Sequence, residues 1–259
     1  MEKYLNLESI NRLELNAEYK DNNPYPHIVI DNFLNEDVAK ELVSYAKSLQ
    51  LANCTSARAS KRWAYKPNQK KPKTHTGNKY GYSKIENFPE NIQSILKSLT
   101  SNDFVKKLEH LTGINDLISN NVALAGAGFH KILNHGFLNL HTDFNNYTDK
   151  NLGSLDRRIN LLVYLNPDWK EEYGGHLWLC NKKTKKIGNK VLPILNRCVI
   201  FSTTNKSIHG HPESLSVPKH VTRDSLALYY YTKNNNNNKR DFENDKFRAT
   251  VFYKTQDFS

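Results

Sequence analysis

Apolar positions recur along the chain with two periods, and the change of period divides it. Residues 24–31, Pro-Tyr-Pro-His-Ile-Val-Ile-Asp, read as a strand. Val38, Leu42, Tyr45, Ala46 and Leu49 then fall at helical spacing, with Asn35 as N-cap and Glu36 and Asp37 in a first turn whose dipole favours acids. Periodicity is lost from Ala52 to Phe88. Pro89 opens a second helix carrying Ile92, Ile95, Leu96 and Leu99, and Asn102 caps a third carrying Phe104, Val105, Leu108 and Leu111 before Gly113 ends it. From Asn121 the texture becomes short strands between turn residues, placed near 127–133, 137–143, 158–165, 175–180, 190–194, 197–202, 207–211 and 223–232, with a further strand over Arg248–Lys254. Eight short strands suit a jelly roll whose funnel can hold a metal and a small molecule. The expected class is mainly β with flanking helices: a double-stranded β-helix (jelly-roll, cupin-like) core with an N-terminal α/β layer. That layer spans 1–120, the core 121–233, and an Asn-rich linker with a C-terminal strand 234–259, all in one compact catalytic domain.

Composition narrows the classes. At 259 residues and 38% hydrophobic content the chain can bury a sizeable core, while no apolar run is long enough to span a bilayer. The start, Met-Glu-Lys-Tyr-Leu-Asn-Leu-Glu, lacks the pattern of a signal peptide, so a cytoplasmic location is expected. Cys54, Cys180 and Cys198 include no Cys-x-x-Cys spacing, which argues against a disulfide framework or a zinc knuckle. A net charge of +11 raises nucleic acid as a partner. The accompanying excess of Asn, including the run Asn234–Asn238, equally fits an AT-rich source such as a phage or a low-GC bacterium. Much of the basic charge lies in residues 52–88, where Arg58, Lys61, Arg62, Lys66, Lys70, Lys71, Lys73, Lys79 and Lys84 mix with Trp63, Tyr65, Tyr80 and Tyr82. A basic loop of this length reads as a lid or binding loop, or as a solvated surface segment.

The candidate chemistry centres on Gly136–Phe144, which contains His141-Thr-Asp143. Alternation along a strand puts His141 and Asp143 on one side, where they can share a metal ion. With a second imidazole they would form the facial triad of non-haem Fe(II) oxygenases. By itself His-x-Asp is weak, because the chain has ten histidines and a strand-end surface pair explains it equally well. His27 reads as a strand residue and His110 as a residue satisfying a helix dipole. The missing imidazole has two candidates in Ser207-Ile-His209-Gly-His211, and Arg223-Asp-Ser225 opens the next strand.

This order of His-x-Asp, distal His and Arg resembles the 2-oxoglutarate and Fe(II)-dependent oxygenases of the prolyl-4-hydroxylase type, and the segments Asp156–Trp169 and Gly174–Trp178 look like that family's middle strands. The resemblance covers roughly residues 24 to 232. It implies His141, Asp143 and His209 as iron ligands, the Ser-x-His-Gly pattern favouring His209 over its competitor His211. It implies Arg223 as the partner of the cosubstrate's distal carboxylate, whose geometry a guanidinium fork matches, with Ser225 on the same strand face and Tyr164 and His130 also in the cosubstrate site. Fe(II), 2-oxoglutarate and O₂ are the implied reactants, with ascorbate a further candidate. Trp178 stands where many relatives have an acidic residue and is a candidate for substrate contact. The presence of Asp143 speaks against the halogenase variant. The implied reaction is hydroxylation of a C–H bond with release of succinate and CO₂, on a prolyl residue of a protein or peptide, or on a small molecule such as an amino acid or a sugar. A nucleic-acid-directed oxygenase, or a basic nucleic-acid-binding protein, is the competing class and rests on charge.

Overall fold

The computed structural model describes residues 2–55, 75–120, 127–234 and 249–259. In chain order the elements are α1 (Leu7–Arg12), α2 (Asn16–Asp21), β1 (His27–Ile30), α3 (Glu36–Ser48), β2 (Thr76–Tyr82), α4 (Glu90–Leu99), α5 (Asn102–Thr112), β3 (Gly128–Thr142), β4 (Asn146–Asp149), β5 (Gly153–Tyr164), β6 (Leu177–Asn181), β7 (Ile187–Val191), β8 (Cys198–Ser202), β9 (Ser207–His211), β10 (Arg223–Lys233) and β11 (Val251–Phe252). The strands follow the order β1-β8-β5-β10-β3-β9-β6-β7, with β2 and β11 also on β3 and β4 on β5. The sheet curls into a jelly roll. Among the described residues no helix is long and apolar enough to cross a membrane.

Strand alternation sorts the core into layers. On β5, β8 and β10, residues Leu161, Val163, Ile200, Leu226, Leu228 and Tyr230 face outward and are buried with Leu42 of α3, Leu96 of α4 and Leu108 of α5. The opposite positions, Tyr164, Val199 and Phe201, join Leu177 and Leu179 of β6 in a second cluster between the two walls. The helices thus back the large wall of the roll, and its interior holds this smaller apolar cluster beside polar residues.

Several elements differ from the sequence reading, for identifiable reasons. The strands expected at 127–133 and 137–143 are one strand, β3, bent where His135 takes φ +61°. Residues 76–82, expected within a loop, pair with β3; their Thr-Gly-Asn-Lys-Tyr-Gly-Tyr sequence hides the strand because Asn78 has φ +48° and a bulge separates Gly77 from Lys79. The rest of the basic stretch, 56–74, lies outside the described residues, as does the Asn run from 235. The C-terminal strand is shorter than expected, Val251–Phe252, and pairs with Thr142 and His141. Helices α1 and α2, six residues each, are too short to announce themselves by period and are held by packing: Tyr19 is fully buried, its hydroxyl 2.8 Å from that of Ser202. Asn35 stands at the N-cap of α3, but its amide donates to the carbonyls of Glu2 and Lys3. Ser101, not Asn102, caps α5 through the Phe104 N–H.

Gly128 begins β3 with φ +99°, and a Cβ there would collide with the Tyr82 carbonyl of β2. Gly128→Ala is expected to lower unfolding stability by about 2 kcal/mol or more, since both backbone conformation and strand approach must change. Urea denaturation measures this, and an unchanged midpoint would contradict the tight β2–β3 pairing.

Candidate active site

Two rows of side chains cross the interior of the roll. In the first, His130 of β3 faces Ser225 of β10, which faces Tyr164 of β5. In the second, Phe252 of β11 faces His141 of β3, which faces His209 of β9, next to Leu179 of β6. Gly210 permits the second row, because a Cβ there would meet the carbonyls of Leu138 and Asn139 at 2.8 Å. The glycine after His209 lets β9 approach β3 closely enough for the two imidazoles to lie 4.4 Å apart between centroids.

Asp143 follows the end of β3 and turns its carboxylate toward both rings, with His141 Nε2 3.5 Å from Oδ1 and His209 Nε2 3.4 Å from Oδ2. One donor atom from each of His141, Asp143 and His209 lies within 4.8 Å of the others, and all three residues are buried. The rings are oriented from behind. His141 Nδ1–H donates to the Asn139 carbonyl at 2.9 Å and His209 Nδ1–H to the Ser207 carbonyl at 3.0 Å. A carbonyl can only accept, so each Nδ1 carries a proton and each Nε2 is turned toward the carboxylate.

Two residues that the sequence reading passed over hold Asp143. Arg157 Nη2 donates to Oδ2 at 2.9 Å and Asn160 Nδ2 to the same oxygen at 3.2 Å. Strict alternation back from Asn160 would put Arg158 inside, but a bulge lets Tyr231 face Arg157 directly after Tyr230 faces Ile159, which turns Arg157 inward. The only signal in the sequence was the Arg-Arg pair at the start of an apolar strand. The Arg157 guanidinium is fully buried, 3.3 Å from the Tyr229 ring centroid and 4.7 Å from that of Phe144. Burial works to raise the Asp143 carboxyl, but Arg157, His209 and His141 outweigh it and hold it well below the usual carboxylate range. Burial pushes His209 down to about 4 against the pull of Asp143, so at neutral pH it is an unprotonated imidazole.

The remaining expected residues lie around the same cavity, whose lining includes His130, Tyr164, Arg223 and Ser225 beside the triad, with Lys79 and His211. Arg223 Nε–H donates to the Gly175 carbonyl at 2.8 Å and Nη2–H to the Tyr164 hydroxyl at 3.4 Å. Neighbouring Asp224 points the other way and is occupied by Lys131 at 3.1 Å and the Thr222 hydroxyl at 3.0 Å. Arg223 thus has no carboxylate partner among the described residues, although it is only 4% exposed. Burial lowers its pKa against the opposing influence of Tyr164. Trp178 lies on the outer face of β6 with Leu140, Ile208 and Phe258, away from the cavity, so the expected substrate contact is not seen.

Residues 127–231 match the model of the 2OG-Fe(II) oxygenase superfamily, a span that contains the triad and Arg223. That stretch is similar to the core of the 2OG-Fe(II) oxygenases. The cofactors are Fe(II) and 2-oxoglutarate, and the donor set fits: two imidazoles and a carboxylate suit iron with open positions, and a buried guanidinium with no carboxylate partner among the described residues suits a carboxylate. Solved structures share the fold. A prolyl hydroxylase of Trichoplax adhaerens, in complex with a hypoxia inducible factor peptide fragment, is 18% identical with a TM-score of 0.57, over 87% of this chain and 91% of that one. A Pseudomonas putida prolyl-4-hydroxylase is 15% identical with a TM-score of 0.55, over 86% and 98% respectively. The curated proteins contain no match.

The buried neutral His209 sets a pH dependence for the metal-free protein. Its pKa falls from 6.5 to about 4 on folding, so between those values the unfolded chain binds the proton that the folded one excludes. Stability should therefore fall as pH drops from 6.5 toward 4, at up to about 1.4 kcal/mol per pH unit for this group. Melting curves of chelator-treated protein check this, and His209→Asn should flatten the slope.

Proposed function

We propose that the protein hydroxylates a C–H bond of a prolyl residue, consuming 2-oxoglutarate and O₂ and releasing succinate and CO₂. The observation that carries the oxygenase reading is the convergence of His141, Asp143 and His209 in the same buried cavity as the unpaired Arg223. The prolyl assignment is supported by the fold shared with two prolyl hydroxylases, one of them bound to a peptide.

In this reading His141 Nε2, His209 Nε2 and Asp143 hold the metal, which when bound supplies the oxidative chemistry that the protein's own groups lack. Arg157 and Asn160 engage Asp143 Oδ2 and fix the direction of the carboxylate. Arg223 receives the distal carboxylate of 2-oxoglutarate, and Gly175 and Tyr164 fix the direction of its fork. Tyr164, Ser225 and His130 line the cosubstrate's path. Leu138, Leu162 and Leu177 supply the apolar wall that limits water around the reacting bond. In the balanced reaction one oxygen atom enters the substrate C–H bond and the other enters succinate.

The test is succinate release with Fe(II), ascorbate and a panel of prolyl peptides, read together with addition of one oxygen to the peptide by mass spectrometry. Turnover confined to free amino acids, sugars or nucleic acid would replace the prolyl assignment. Of the basic stretch 52–88 that raised nucleic acid as a partner, residues 56–74 lie outside the described residues, and no described feature favours that partner.

His141→Ala, Asp143→Ala and His209→Ala should each abolish turnover with little change in fold. Arg157→Ala should weaken metal affinity roughly 10- to 100-fold, as loss of a partner behind a ligand does; equal Mn(II) affinities by calorimetry would contradict that role. Arg223→Ala should raise the 2-oxoglutarate requirement roughly thirtyfold or more with metal binding little changed, and Arg223→Lys should recover part of it. Anaerobic titration of the Fe(II) form measures both. Unchanged affinity in Arg223→Ala would transfer the carboxylate to another cation, with Lys79 in the same cavity the first to test.

A further inference from the structure

His211 has no part in the function proposed above, yet its surroundings are unusual. The side chain is 3% exposed, and neither ring nitrogen has a hydrogen-bond partner among the described residues. A buried polar group left in this state is unfavourable, which a binding role would explain. Two residues past His209 on β9, His211 projects to the same inner face and lines the same cavity as Arg223, Tyr164 and Lys79. It stands outside the group whose donor atoms converge, so the metal does not account for it. An imidazole carries at least one N–H, and the cationic Arg223 and Lys79 in the same cavity cannot accept it. No described group accepts it, and a bound anion beside Arg223 would.

We propose that His211 is a second donor to the 2-oxoglutarate carboxylate held by Arg223, giving a ring N–H beside the guanidinium fork. The assignment rests on the oxygenase reading above and adds a residue to it. Two strand residues span roughly 6.5–7 Å, so the step from His209 to His211 leads from the level of the metal toward the far end of a dicarboxylate. His209 and His211 then divide the cosubstrate site, one at the metal and the other beside Arg223.

The experiment is anaerobic titration of 2-oxoglutarate against the Fe(II)-loaded protein, with Mn(II) affinity measured separately by calorimetry. His211→Val fills similar space without a donor and should weaken 2-oxoglutarate binding roughly tenfold or more, as loss of a hydrogen bond to a charged group does. His211→Asn and His211→Gln each retain an amide N–H, and at least one should recover part of the loss. Mn(II) affinity should stay within about twofold of wild type. Combined with Arg223→Ala, His211→Val should have a smaller effect than it has alone, because both residues act on one carboxylate. If wild type and His211→Val bind 2-oxoglutarate equally while Arg223→Ala binds weakly, the His211 assignment falls and the oxygenase reading stands. If wild type binds no 2-oxoglutarate, both fall. Loss of Mn(II) affinity in His211→Val would make His211 a metal ligand, and full additivity with Arg223→Ala would place its effect elsewhere in the fold; either result overturns the assignment.

Discussion

The site depends on one strand belonging to both walls of the roll. The first part of β3 pairs with β10 and its last part with β9, so the strand carries His130 into one row and His141 into the other. The bend at His135 makes this possible, and it is pinned on both sides of the chain: His135 N–H donates to the Leu215 carbonyl and Leu215 N–H returns to the Gly136 carbonyl, each at 3.0 Å. Because alternation has a period of two, a slip of one residue would present Leu140 and Thr142 to the cavity in place of His141 and Asp143. Register, more than the strength of any one contact, is what assembles the candidate ligands.

Charge in the cavity follows from that assembly. Among the described residues Asp143 is the only carboxylate in the cavity lining, beside Lys79, Arg223 and four histidines, with Arg157 directly behind it. The Asp143 and Arg157 charges offset each other, so a divalent metal would bring an excess that a dianion matches. Arg223 then marks the end of the cavity where the dianion's far carboxylate is favoured. Burying two arginines is unfavourable in isolation, and each is offset locally: Arg157 by a carboxylate and two aromatic faces, Arg223 by a carbonyl and a phenol. The weaker compensation at Arg223 leaves it open to a ligand, whereas Arg157 is already committed to Asp143.

What could be read from the chain follows from the same geometry. The jelly roll was legible because β5, β8 and β10 carry short, largely apolar runs between turn residues, and His141, Asp143, His209 and Arg223 were legible because their spacing resembles a known family. Where a strand breaks its own period the reading failed: β2 at its bulge, β3 at its bend and Arg157 at the bulge opposite Tyr230 and Tyr231. Such irregularities are tertiary outcomes, in which a partner strand decides which side chain turns inward. Trp178 shows the converse error. It was linked to substrate by its position in a family motif, yet the motif's parity places it on the outer face of β6 with Phe258 from the chain's end.

The Ser-Ile-His-Gly-His segment shows how two residues of one type on one face can differ in role. His209 is oriented by the carbonyl two residues earlier, which fixes the Nδ1 proton and directs Nε2 to the carboxylate; His141 repeats this contact through Asn139. His27 also bonds the carbonyl two residues before it, that of Tyr25 at 2.8 Å, but does not belong to a convergent donor group, so the contact orients a ring without making it a ligand. A ligand requires the oriented ring and a facing carboxylate together. His211 has neither: its ring nitrogens lack partners among the described residues, and the charged side chains that share its part of the cavity are Arg223 and Lys79. The residue beside the metal is thus held from behind by the backbone, whereas the residue beside Arg223 has hydrogen-bonding capacity left for what enters the cavity.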